Sequence, residues 1–197
     1  KPSDEYLSGH IRDKIAAAQA AGSRFERNVQ ALTAVLPKDL GPGEVEVRLG
    51  APWVPSQLVE AFATELIEAK PGEITVDYDT QSACWSIKAG HSIEYAGDRM
   101  LNTATWGTNK RCAVALIEGA LNQVPPTITF TDSLGKSIPD RPGTLAAREK
   151  YEAIKAEFKK WAYADDARRD MLLRIYNDQL NQIVERQYDG SHLVLPG

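Results

Sequence analysis

The chain has 197 residues, 43% of them hydrophobic and 25% charged, with a formal net charge of −4. This is globular composition, long enough to bury a core as one or two domains without a staple, and it excludes the disordered and fibrous classes. No apolar run approaches the roughly 20 residues that a membrane-spanning helix needs, and the acidic balance argues against a broad nucleic-acid coat while leaving room for a local basic patch. The chain opens on Lys1 with no charged-then-apolar leader and closes on Leu195-Pro196-Gly197; both ends read as boundaries inside a longer protein. Cys84 and Cys112 have no C-x-x-C spacing, which fits a reducing cytoplasm and two buried, unpaired thiols.

In chain order, Ser3-Asp4-Glu5 reads as a capped helix start, with Leu7, Ile11, Ile15 and Ala18 recurring about once per turn until Gly22. Ser23-Arg24-Phe25-Glu26 has capping-box spacing, and Phe25, Val29, Leu32 and Leu36 continue at helical spacing to Pro37. Residues 1–39 are thus expected to form an N-terminal helical hairpin. After Leu40-Gly41-Pro42-Gly43, Val45 and Val47 alternate with acids and Arg48 as a short extended piece. Pro55 suits the first turn of a helix carrying Leu58, Phe62 and Leu66, which runs to Lys70-Pro71-Gly72. A β-hairpin follows, Ile74, Val76 and Tyr78 against Trp85 and Ile87, turning through Asp79 to Ser82. Thr103 to Trp106 reads as extended. Thr108 or Asn109 then caps a helix with Ala113, Leu116, Ala120 and Leu121 inward, and Thr127 to Thr131 is a strand. Residues 132–143 read as a loop. Two amphipathic helices close the chain, with stripes at Ile154, Phe158 and Trp161 and at Leu172, Tyr176, Leu180 and Ile183, joined near Asp165 or Asp166; residues 187–197 read as an irregular exit. Trp85, Trp106 and Trp161 are all expected in the core. The fold class is α+β: helix-rich, with a small mixed or antiparallel sheet flanked by N- and C-terminal helical hairpins. The corresponding divisions are residues 1–39, a central α+β core at 40–139, and a helical pair with exit segment at 140–197.

No catalytic motif is complete in this sequence. Asp132-Ser133-Leu134-Gly135-Lys136-Ser137 ends like a phosphate-binding loop, but Phe130 stands where the motif needs a glycine, and Pro139 and Pro142 interrupt the helix that should follow. His10, His91 and His192 lie in no nucleophile or zinc pattern. Asp77 and Asp79 fit a solvated hairpin better than an acid/base pair. No catalytic, cofactor-binding or metal-binding residue is therefore expected, and no cofactor is implied. One segment breaks a local rule: Trp106-Gly107-Thr108-Asn109-Lys110-Arg111 places two cations in what reads as the first turn of a helix, where the dipole prefers acids. Free N–H groups, a capping hydroxyl, Lys110 and Arg111 could together anchor a phosphate, with Trp106 stacking on a base; the alternative is that Trp106 seals the core. Trp106, Thr108, Asn109, Lys110 and Arg111 are the candidate nucleic-acid contacts. Lys150, Lys155, Lys159, Lys160, Arg168, Arg169 and Arg174, interspersed with acids, read as a solvated face.

Five phrases in this order carry a resemblance: Tyr6-Leu7-Ser8-Gly9-His10-Ile11-Arg12-Asp13-Lys14, Leu49-Gly50-Ala51-Pro52-Trp53-Val54-Pro55, Thr105-Trp106-Gly107-Thr108, Ala147-Arg148-Glu149-Lys150 and Tyr188-Asp189-Gly190-Ser191-His192-Leu193. Together they resemble the region before the helicase motor in very large bacterial and phage proteins of mobile elements, which join an adenine-specific DNA methylase to a superfamily-two helicase. The chain has no methylase Asp-Pro-Pro-Tyr motif, Walker motif or DEAH-type box, so the resemblance implies context and not activity. It implies a non-catalytic accessory domain in a bacterial cytoplasm, with the adjacent methylase and helicase domains and weakly, non-specifically bound DNA as partners and no membrane. In one version the domain positions DNA for the motor; in the other it docks methylase to helicase and never touches DNA.

Overall fold

The computed structural model describes residues 3–90 and 100–186. His91, His192, the Tyr188–Leu193 phrase and the exit segment lie outside the described residues. The fold is α+β, with helices and three separate two-stranded antiparallel sheets among the described residues. Its contacts cluster into two units: residues 1–45 with 170–197, and residues 46–169. Unlike the three consecutive divisions expected from the sequence, the first unit is assembled from both ends of the chain.

In that first unit the expected opening helix is broken. A single turn, Ser3–Tyr6, stops before Gly9, whose φ of +75° lies in the left-handed region that glycine occupies without Cβ strain. The Lys14 ammonium donates to the carbonyls of Glu5, Tyr6 and Ser8, a cation placed on the carbonyl end of that turn. Strand β1 (Gly9–His10) pairs with β6 (Ile183–Val184), Gly9 opposite Val184 and His10 opposite Ile183. Helix α1 (Ile11–Ala20) follows directly. Its N-cap residue, His10, makes no side-chain cap. The buried Gln182 serves instead, its backbone oxygen accepting from Ile11 N at 3.0 Å and its side-chain oxygen from Asp13 N at 3.2 Å. The expected capping box at Ser23 does not form; Ser23–Phe25 is a 3₁₀ turn entered from Gly22, and α2 (Glu26–Val35) begins at Glu26. The two helices pack together around Ile11, Ala18 and Leu32. Asn177 latches the segment after α2, its side chain bonding both the N–H and the carbonyl of Leu40 at 2.9 and 3.0 Å.

The second unit is built on the hairpin of β2 (Ile74–Asp79) and β3 (Cys84–Ala89), in the expected register with Val76 opposite Ile87 and Tyr78 opposite Trp85. Asp79 closes the turn by accepting from Gln81 N and Ser82 Oγ, and these bonds hold its acid below the usual carboxylate range. Helix α3 (Ser56–Leu66) starts straight after Pro55, but its buried face is Val59, Phe62 and Ala63; Leu58 and Leu66, expected inward, are half-buried. Helix α4 (Ala113–Leu121) buries six of its nine residues, so it is a core helix rather than an amphipathic one. The region expected to be one loop holds a further strand: β4 (Thr129–Thr131) pairs with β5 (Ser137–Pro139). Helix α5 (Arg141–Ala164) then runs from an Asp140 cap, with Ala147, Tyr151, Ile154 and Phe158 buried. Asp165 breaks it in extended backbone and caps α6 (Asp166–Gln179), accepting from Arg168 N at 2.7 Å; from Asp170 onward α6 belongs to the first unit. In the last expected stripe only Leu172 is fully buried; Leu180 and Ile183 are exposed.

Of the three tryptophans expected in the core, only Trp85 is buried, at 4% exposure; Trp106 and Trp161 are half-buried. Both thiols are free, as expected, but Cys84 lies on the exposed face of β3 and Cys112 is half-buried. Among the described residues no helix is long and apolar enough to cross a membrane.

Candidate nucleic-acid interface

The segment from Leu101 to Arg111 is not extended and is not the first turn of a helix. Leu101–Thr105 is a π-helical turn, closed by Trp106 N donating to Leu101 O at 2.9 Å. Next comes a tight reverse turn: Thr108 N donates to Arg111 O at 2.7 Å and Arg111 N to Thr108 O at 3.2 Å. The Thr108 hydroxyl accepts from the amides of Lys110 and Arg111, so it caps this turn and not a helix. Asn109 and Lys110 are its exposed tip. Helix α4 begins two residues beyond Arg111, so the dipole argument that singled out Lys110 and Arg111 does not hold in this geometry.

The true N-terminus of α4 is closed by the protein itself. Asn102, 1% exposed, accepts from Val114 N through its side-chain oxygen at 3.3 Å. Gly107 lies across the same end, where a Cβ would overlap the Asn102 carbonyl oxygen and fall 2.7 Å from Ala113 N. Asn102 thus takes the Val114 amide, and Gly107 fills the space beside the Ala113 amide.

Lys110 is also engaged. Its ammonium forms an ion pair with Asp140, which at the same time caps α5 by accepting from Gly143 N at 3.0 Å. The Lys110 contact, and then the Gly143 amide, hold the Asp140 acid below its usual range. Arg111 remains: its side chain is exposed and makes no hydrogen bond or ion pair among the described residues. Trp106 is half-buried, midway between the two roles considered for it.

Most of the second basic group is matched locally. Lys155 meets Glu152, Lys160 meets Glu157, Arg169 meets Asp166 and Arg174 meets Asp178. Lys150 donates to Thr105 O at 2.8 Å, and Arg168 donates to Trp161 O while its guanidinium carbon sits 3.4 Å from the Trp161 ring centre. Such i,i+3 and i,i+4 pairs describe a solvated helical face.

The incomplete phosphate loop is a hairpin turn. Asp132 accepts from the amides of Leu134 and Lys136, each at 2.9 Å, so the N–H groups that would cradle a phosphate face a carboxylate. His10 is exposed and 4.0 Å from Asp13. Among the described residues no His, Cys, Asp or Glu cluster is placed to hold a metal.

Fold and site together define an α+β domain in which Lys110 and most of the cations on α5 and α6 are engaged within the domain itself. The chain belongs to a family known as a domain of unknown function, DUF8437, whose model matches residues 48–182. No curated protein and no solved structure matches the chain.

Proposed function

We propose that the domain is a non-catalytic docking module that joins neighbouring parts of a DNA-processing protein and touches DNA little or not at all. The observation that carries this reading is the Lys110–Asp140 ion pair, which ties the leading candidate phosphate contact into the cap of α5. The closed N-terminus of α4 and the local pairing of cations on α5 and α6 support it. The DNA-processing context comes from the resemblance to methylase–helicase proteins. A second reading, in which the domain positions duplex for a motor, keeps one specific observation: the unpartnered Arg111 guanidinium at the surface.

The catalytic half is tested by assaying the chain for ATP turnover and for methyl transfer to DNA. Neither should exceed background, and Lys136→Ala should change nothing, because the Asp132 carboxylate occupies the amides of that turn. ATP turnover that disappears in Lys136→Ala would contradict the reading.

A further inference from the structure

Two of the sheets differ in what meets their edges. In β2–β3, Gly90 N donates to Glu73 O at 2.7 Å, and this register turns the backbone groups of Val76, Trp85 and Ile87 outward. Side chains meet them. Asn122 bonds both the N–H and the carbonyl of Trp85, each at 2.9 Å, while Glu118 and Glu60 accept from Ile87 N and Val76 N at 3.4 Å. These contacts occupy positions that an added strand would use.

Strand β4 has no such guard. Asp140 N donates to Ile128 O at 2.8 Å and Asp132 N to Lys136 O at 2.9 Å, so Phe130 and Ile138 form the bonded pair between them, and Thr129 and Thr131 turn outward. The outward N–H and C=O of both threonines make no hydrogen bond among the described residues, and both threonines are exposed. Strand β5 is the poorer edge, because Pro139 presents no N–H. Phe130, 51% exposed, stands between the two threonines and shares its face with half-buried Ile138. Unpaired groups alternating along a strand are complementary to one thing, another extended backbone.

We propose that β4 is the edge through which two copies of this chain associate, pairing antiparallel about a twofold axis at Phe130. Thr129 of each copy then meets Thr131 of the other in a hydrogen-bonded pair. The two Phe130 side chains meet across a non-hydrogen-bonded pair, where side chains come closest. The strand is its own complement because its free groups straddle one central residue, and Thr129-Phe130-Thr131 brings no like charges together. Three residues make a small contact, so the association is weak and depends on concentration. This goes beyond the docking reading and does not depend on it.

The experiment traps the contact by its geometry. Phe130→Cys and Leu134→Cys are each oxidised mildly in a Cys84→Ser/Cys112→Ser background, which removes both free thiols. Across a non-hydrogen-bonded pair the Cα atoms lie about 4.5 Å apart, within disulfide reach, whereas the two Leu134 positions fall at opposite ends of the paired strands. Phe130→Cys is expected to cross-link about tenfold faster on that geometry, although Leu134 is the more exposed residue at 90%. In the parent chain, deuterium exchange at the Thr129 and Thr131 amides should slow as concentration rises from roughly 10 µM to roughly 1 mM. Phe130→Lys should abolish that slowing by setting two cations opposite each other, with protection of the β2–β3 hairpin unchanged. Equal or faster cross-linking of Leu134→Cys would overturn the proposal, as would threonine exchange that ignores concentration. Threonine amides slowed only by an added extended peptide, acetyl-Thr-Val-Thr-Val-Thr-amide, would also overturn it and assign the edge to a segment of another protein.

Discussion

Asp140 shows how one side chain can settle the use of several others. It caps α5 and holds Lys110, and both contacts favour its charged form. Because its folded pKa is depressed, the associated stability is fully present above the ordinary carboxyl value of about 3.9 and is lost as pH falls through the lower folded value. Asp140→Asn keeps an oxygen for the cap but loses the charge. The variant should be less stable than the parent at neutral pH, and the gap should close as pH drops below about 4; urea midpoints across that range measure it, and a gap independent of pH would contradict the assignment. Gly107 makes a steric argument of the same kind. Gly107→Ala should cost about 1–3 kcal/mol or more by forcing the α4 N-terminus away from Asn102. Gly43→Ala, where a Cβ meets nothing within 4 Å, should shift stability by no more than about 0.5 kcal/mol.

Among the elements, α3 and α5 meet through an aromatic cluster. Phe62 and Phe158 pack edge to face with ring centres 5.0 Å apart, and Trp161 lies 5.5 Å from Phe62 while its indole N–H donates to Glu65 at 2.6 Å. Phe158 is fully buried and Trp161 is not. Phe158→Ala should therefore cost about 3–5 kcal/mol in chemical denaturation, and Trp161→Ala distinctly less; the reverse order would mean that the cluster is anchored by the indole. The β2–β3 hairpin was legible because alternation and turn residues coincide, and the α5–α6 break because Asp165 is a cap residue between two helical stripes. What sequence left hidden are contacts from far along the chain. The N-termini of α1 and α4 are capped by Gln182 and Asn102, and Asn122 and Asn177 bond both backbone groups of Trp85 and of Leu40. An amide in a polar stretch reads as surface, because nothing local distinguishes it from one that satisfies a remote backbone. The supposed helix start at Thr108 failed for the same reason: the hydroxyl caps a tight turn, and the helix cap comes from Asn102. Strand β5 escaped notice because Pro139 ends it and its partner β4 has only three residues.

At the scale of the whole molecule, one of the two units draws on both ends of the chain. Removing residues 170–186 together with the segment beyond them should strip hydrogen-exchange protection from α1 and α2, which lose β6 and the Gln182 cap. Protection in α3, α4 and the β2–β3 hairpin should persist; a collapse of both units together would show that they do not fold separately. The central proposal is that Lys110 and the cations of α5 and α6 serve the domain's own architecture and that the domain docks protein rather than DNA. The measurement that tests it most directly is a salt titration of a labelled duplex against the parent chain and Lys110→Glu/Arg111→Glu. The expected result is no saturable binding by either protein at low salt within the micromolar range where even non-specific DNA binders associate, about 10⁻⁶–10⁻⁴ M. Binding by the parent chain in that range would contradict the claim, if it weakens steeply with salt and falls tenfold or more in the double variant. It would return Lys110 and Arg111 to the role of phosphate contacts.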